Sequence, residues 1–177
     1  LDFARHTGVT LETRGIVADW DKSEKKMSIY HNGQAPHMMQ HIIAKHFDIS
    51  EGLVRVISKD VGGSFGIKVH VYGDEMAAIA ASKILERPVK FVADRLESFT
   101  TDIHARCHKI SGKLGVDKNG KFLSMEINDL SGIGPYSMYP RTSAIETNQV
   151  LNLSGSPYII PNYKAVGTVV FQNKTPM

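Results

Sequence analysis

Leu53-Val54-Arg55-Val56-Ile57-Ser58-Lys59 runs straight into Asp60-Val61-Gly62-Gly63-Ser64-Phe65-Gly66, and the order of these two stretches decides the fold. The first is short and rich in β-branched residues, which predicts a strand. The second is the most glycine-dense stretch in the chain. Beyond it, Ala77, Ala78, Ala80 and Ala81 are strong helix formers, and Met76, Ile79 and Ile84 offer packing residues. Asp74 is placed to cap that helix. Arg87-Pro88 stops it, because the residue before proline is pushed out of helical geometry. Val89-Lys90-Phe91-Val92-Ala93 is then a further strand. Residues 53–93 therefore run strand, glycine loop, helix, strand.

Towards the N-terminus, Gly15-Ile16-Val17-Ala18-Asp19-Trp20 and Lys26-Met27-Ser28-Ile29-Tyr30-His31 flank a polar turn and predict a β-hairpin. Pro36 suits a first helical turn. From there Met39, Ile42, Ile43 and Phe47 form one apolar stripe that ends near Asp48. Towards the C-terminus, residues 107–116 and 122–128 alternate around Asp117-Lys118-Asn119-Gly120, a hairpin signal. An irregular stretch follows from Gly132 through Pro140, then a helix around 143–151 and a last strand over 163–171. Asp94, Arg95 and Glu97 read as a charged strand exit, solvated or ion-paired. Helices mixed with antiparallel hairpins give an α+β class with mixed, largely antiparallel sheets and packed helices. With no repeat, low-complexity tract or long linker, residues 1–177 are expected to form a single domain.

Composition narrows the function classes. The net charge is +3 and Lys and Arg never cluster beyond short pairs, so there is no nucleic-acid footprint. The lone Cys107 excludes an internal disulfide and any cysteine-based zinc or iron–sulfur site within the chain. No stretch approaches the roughly 18 apolar residues of a membrane span. The chain opens at Leu1 without signal-peptide character, which fits an internal piece of a cytoplasmic protein.

The glycine loop is the sharpest chemical feature. Gly62, Gly63 and Gly66 permit positive φ, so successive N–H groups can converge on an anion. Phe65 within it must pack inward or face a ligand. The loop is neither a P-loop, since Ile67 follows Gly66, nor the Gly-x-Gly-x-x-Gly dinucleotide pattern. A tight strand-to-helix connection without a ligand explains it equally well. His37 and His41 stand four apart, a spacing that can chelate zinc, yet no third ligand lies nearby and an exposed or partner-facing pair is the better reading. Cys107 lies between Arg106 and His108 but has no arranged base, so it reads as structural. No Gly-x-Ser-x-Gly elbow supports a serine nucleophile.

Five stretches in order carry a resemblance: Leu11-Glu12-Thr13-Arg14-Gly15, Asn32-Gly33-Gln34-Ala35-Pro36, Gly62-Gly63-Ser64-Phe65-Gly66-Ile67-Lys68, Arg87-Pro88-Val89-Lys90 and Asp94-Arg95-Leu96-Glu97. Together with Asp117-Lys118-Asn119-Gly120 and Asn173-Lys174-Thr175-Pro176, they span almost the whole chain. The set resembles the first cofactor-binding domain of the molybdenum hydroxylase large subunit, the family of xanthine dehydrogenase, aldehyde oxidase and the carbon monoxide dehydrogenase large chain.

The resemblance implies a molybdenum–molybdopterin cofactor held by Gln34, Gly63, Ser64, Phe65 and Gly66, with Gln34 and Phe65 near the metal. Ser64 departs from the third glycine that is usual there. Gln34 can donate through its NH₂ to an oxo or hydroxo group without adding charge. Val69 takes the substrate-pocket position where purine hydroxylases carry a glutamate, which implies the aldehyde- or carbon monoxide-oxidising type. The complete enzyme would be an oxidoreductase acting on a small molecule. Its partners would be the remainder of the large subunit, together with iron–sulfur and FAD-bearing subunits or domains. The family's base and its arginine or cysteine loop match no residue in this sequence, so no catalytic residue is assigned and the chain alone is expected to be inactive. The rival class is a non-catalytic α+β module for assembly or for binding a phosphate-bearing ligand.

Overall fold

A computed structural model describes residues 1–177 as two compact units, Gly8–Asp102 and a unit formed by Leu1–Thr7 with Ile103–Met177. In chain order the strands are β1 (Asp2–Phe3), β2 (Gly15–Asp21), β3 (Lys26–His31), β4 (Val54–Ile57), β5 (Val89–Val92), β6 (His108–Val116), β7 (Phe122–Gly132) and β8 (Asn162–Val170). The α-helices are α1 (Pro36–Phe47), α2 (Gly73–Leu85), α3 (Arg95–Thr101) and α4 (Ala144–Leu153). The α+β class expected from the sequence is the one observed.

The Gly8–Asp102 unit holds the sheet β4-β3-β2-β5. β2 and β3 form the expected hairpin, from Ile16 opposite His31 to Asp21 opposite Lys26. β5 joins β2 antiparallel, whereas β4 joins β3 in parallel. Alternation along β2 and β3 sends Ile16, Ala18, Met27 and Ile29 to one face, where α1 contributes Met39, Ile43 and Ala44 and α2 contributes Ala78 and Ile79. Burying each of the larger side chains contributes about 1.5–3 kcal/mol, so this face holds the unit together. α1 starts at Pro36 and ends where Asp48 turns left-handed at φ 51°.

Three local readings of this unit are corrected. Asp74 does not cap α2, whose N-cap is Tyr72, because the Asp74 carboxylate is drawn to Arg14. Ile84 is 79% exposed rather than packed, lying on the solvent side of the helix opposite Ile79. The charged exit at Asp94, Arg95 and Glu97 is the start of α3, closed by a reciprocal capping box between Asp94 and Glu97.

In the other unit the sheet order is β1-β6-β7-β8, with β6 and β7 antiparallel around the 117–120 turn and β8 parallel to β7. Packed with α4 is a buried polar group: His108 Nδ1 lies 3.0 Å from both Asp129 oxygens, and Ser131 Oγ donates to Asp129 at 2.6 Å. Glu146 of α4 approaches His108 Nε2 at 3.5 Å and accepts from Arg106 at 3.1 Å. No helix is long and apolar enough to cross a membrane.

Candidate functional site

The site is built on the stretch 10–14. Arg14, 1% exposed, anchors it: Nε donates to Asp102 at 2.6 Å, Nη2 to Asp74 at 2.7 Å and Nη1 to Glu75 at 3.2 Å. The Tyr72 ring covers the guanidinium at 3.7 Å from its centroid. Burial opposes the charge on Arg14, but its carboxylate partners more than reverse this and hold its pKa above the ordinary value. One positive charge does not neutralise three carboxylates. Burial pushes the Asp102 carboxyl up, with the neighbouring charges of Asp74 and Glu75 adding to it and Arg14 only partly offsetting it. At the start of α3, Arg95 donates to the carbonyls of Thr10 and Leu11 at 2.7 and 3.0 Å. This second grip fixes where Glu12 stands.

Glu12 in turn holds the glycine loop. Its Oε2 accepts from the Gly62 N–H at 2.8 Å, and its own N–H donates back to the Gly62 carbonyl at 3.1 Å. A Cβ on Gly62 would lie 2.4 Å from the Glu12 Cβ, so Gly62 serves close approach. Positive φ falls instead at Gly63 (96°), Phe65 (52°) and Gly66 (91°). That run turns the loop so that the amides of residues 63–66 find no acceptor within the chain, as an anion-binding nest requires. A Cβ on Gly66 would meet nothing within 4 Å, so the loop faces open space there. Phe65 is 78% exposed and directed outward.

Gln34 is exposed at the head of α1, with its N–H donating to the Lys68 carbonyl at 3.2 Å. The Ser64 hydroxyl donates to Gln34 Oε1 and accepts from the Lys68 N–H at 3.0 Å. Oε1 is thereby engaged, and the Gln34 NH₂ is the half left for a ligand. Gln34, Gly63, Ser64, Phe65 and Gly66 thus share one rim, although some thirty residues of sequence separate the glutamine from the loop. Val69 closes the short 3₁₀ turn Ile67–Val69 beside the rim and is half-buried.

Other candidates lie elsewhere. His37 and His41 are exposed on α1, and His41 has only Glu51 near it, at 3.5 Å. Cys107 Sγ donates to Gln172 Oε1 at 3.5 Å in the other unit. The sequence reading missed Glu12 and Lys68 as a pair. Their charges sit 56 positions apart, and no local pattern links them.

The family described as the molybdopterin cofactor-binding domain matches residues 1–177. The chain belongs to that family. Over 166 residues it is 35% identical to the carbon monoxide dehydrogenase large chain of Hydrogenophaga pseudoflava, covering 94% of this chain and 20% of that one. It is 32% identical to the nicotine 6-hydroxylase large subunit of Paenarthrobacter nicotinovorans, covering 98% and 21%. Among solved structures, quinoline 2-oxidoreductase from Pseudomonas putida 86 superposes with a TM-score of 0.93 at 30% identity, covering 99% of this chain and 22% of that one. This molybdopterin cofactor-binding domain thus spans about a fifth of the length of the relatives it matches.

Proposed function

We propose that residues 1–177 act as one cofactor-binding domain in the large subunit of a molybdenum-dependent oxidoreductase. In this reading Gln34 and residues 63–66 hold part of the cofactor, with Gln34 and Phe65 nearest the metal. The observation that carries it is the rim itself: four loop amides without acceptors beside a glutamine whose NH₂ is uncommitted. Neutral donors of this kind suit an anionic pterin phosphate and a metal oxo group. When bound, the cofactor supplies the electron-accepting chemistry of substrate oxidation. The chain's own part is to bind and orient. The loop N–H groups donate to anionic oxygens, Gln34 donates through its NH₂, and Phe65 presents an apolar wall.

Val69 sets the substrate class in this reading. An apolar side chain cannot hydrogen-bond a purine ring, and sites that pair a substrate's polar group owe much of their selectivity to that pair. The complete enzyme should accordingly oxidise aldehyde-type or one-carbon substrates in preference to purines. Partners bearing iron–sulfur clusters and FAD would carry the electrons away, and the same reading places the complete enzyme in the cytoplasm.

The test is Gln34→Ala in the full-length subunit. Activity on the preferred substrate should fall at least tenfold while the melting temperature moves little, since an exposed amide contributes little to the core. Unchanged activity would remove Gln34 from the cofactor site, and xanthine oxidised as well as an aldehyde would remove the substrate class argued from Val69.

A further inference from the structure

We propose that Glu12 and Lys68 form a positioning pair that sets the glycine loop and Gln34 as one rigid unit, so that the loop lysine is spent within the protein and not on the anionic ligand. The proposal rests on the reading of the loop as a cofactor cradle. A lysine at the end of a glycine-rich anion loop invites the opposite reading, in which its ammonium reaches the ligand's phosphate. The geometry argues against that. The Lys68 side chain is 0% exposed and its Nζ donates to Glu12 Oε2 at 2.8 Å.

Lys68 ties three separate segments together. Through Nζ it holds Glu12 of the 10–14 stretch, whose same oxygen holds the Gly62 N–H. Through its own N–H it holds Ser64 Oγ, and through its carbonyl it accepts from the Gln34 N–H. Ser64 then fixes the Gln34 amide through Oε1. Glu12 is the one carboxylate that pairs with this ammonium. A buried ammonium that loses its counter-charge is strongly unfavourable, whereas replacing both partners by neutral groups of similar shape is far better tolerated. Removing Glu12 alone should drive Lys68 towards solvent and shift the turn 67–69, and with it Ser64 and the Gln34 amide.

The experiment uses the full-length subunit in its native complex as wild type, Glu12→Gln, Lys68→Met and the double variant Glu12→Gln/Lys68→Met. Glutamine at 12 still accepts from Gly62, and methionine at 68 keeps the length of the lysine without its charge. Three quantities are read: molybdenum and pterin per subunit, the electron paramagnetic resonance of molybdenum in the loaded fraction, and amide exchange over residues 60–70. Each single variant should lower molybdenum content at least fivefold, shift the resonance and speed exchange. The double variant should return all three to within twofold of wild type.

A double variant as depleted as Lys68→Met would mean that Lys68 touches the ligand itself, and the proposal fails. Single variants that lose folded protein yet keep the wild-type resonance in what remains would show a merely structural pair, which also overturns it. If the single variants do not fold, recovery of exchange protection in the double variant supports the pairing and its absence overturns it. If the wild-type complex holds no molybdenum or pterin, the cofactor reading fails first. The exchange pattern then still decides whether the pair sets the loop.

Discussion

Two charged residues of one short stretch, Glu12 and Arg14, meet opposite fates, and the difference shows what a residue-by-residue reading can reach. Arg14 disappears into the protein among three carboxylates, while Glu12 stays at the rim with its side chain 43% exposed. The resemblance marked the stretch 11–15, but neither role follows from local sequence, because Gly62 and Lys68 lie 50 and 56 positions from Glu12 and Asp102 lies 88 from Arg14. The titration of Glu12 makes its role measurable. Burial pushes its carboxyl up, but hydrogen bonds from Lys68, Gly62 and Asn32 outweigh this and hold it below its ordinary value of 4.5. The folded protein therefore binds that proton more weakly than the unfolded chain does. Ionised Glu12 contributes stability that is complete above the ordinary value and is lost as pH falls through the depressed one. Asp102 works in the other direction. Its raised carboxyl favours the folded state at low pH, and that contribution fades as pH rises through the raised value. The Glu12→Gln variant should thus melt below wild type near neutrality. The gap between the two should close as pH is lowered from about 6 towards about 3. A gap that stays constant across a calorimetric pH series would show that Glu12 titrates alike in both states.

At the scale of elements, the sequence was most readable where periodicity is regular and least readable where a side chain has two possible uses. The hairpins β2–β3 and β6–β7 and the helix α1 follow directly from alternation, an Asn-Gly turn and a Met39, Ile42, Ile43 stripe. α2 is where expected, but its predicted cap, Asp74, was taken by Arg14, a competition that only the fold reveals. α3 is the instructive miss, since its signal was present. Asp94 and Glu97 have capping-box spacing, but only seven helical residues follow and the apolar Leu96 and Phe99 of that helix are exposed, so the pattern lacks a packed stripe. Short helices of this kind depend on their caps. Asp94→Ala should cost about 1 kcal/mol of stability, measured by chemical denaturation. It should also loosen the hold of Arg95 on Thr10 and Leu11, seen as faster amide exchange across residues 10–14. A variant as stable as wild type, with unchanged exchange, would mean that tertiary contacts rather than the cap define α3.

At the scale of the whole molecule, hydrophobic burial is uneven in a way that composition cannot show. The Gly8–Asp102 unit closes a core beneath its two longer helices. In the other unit β8 ends its sheet as an edge strand of nine residues, eight of them exposed, and only Lys164 carries charge. The last strand was predicted from its apolar members, yet Val166, Val169 and Val170 remain 44%, 43% and 36% exposed, and Phe171 just beyond the strand 75%. Periodicity identifies a strand but cannot say whether anything covers it. A long edge with unpaired backbone groups, exposed valines and neither proline nor bulge is a template for pairing with another chain. Family membership with relatives about five times longer makes further chain a natural cover for such an edge, so residues 1–177 expressed alone should reveal it. The purified chain should sediment as dimers or larger species whose share grows with concentration. Val166→Lys should return it to monomer without lowering its melting temperature, because the substitution puts a charge on a face already open to water. A chain that stays monomeric at millimolar concentration, or a Val166→Lys variant that associates as strongly as the parent, would show that the β8 edge is not what drives association.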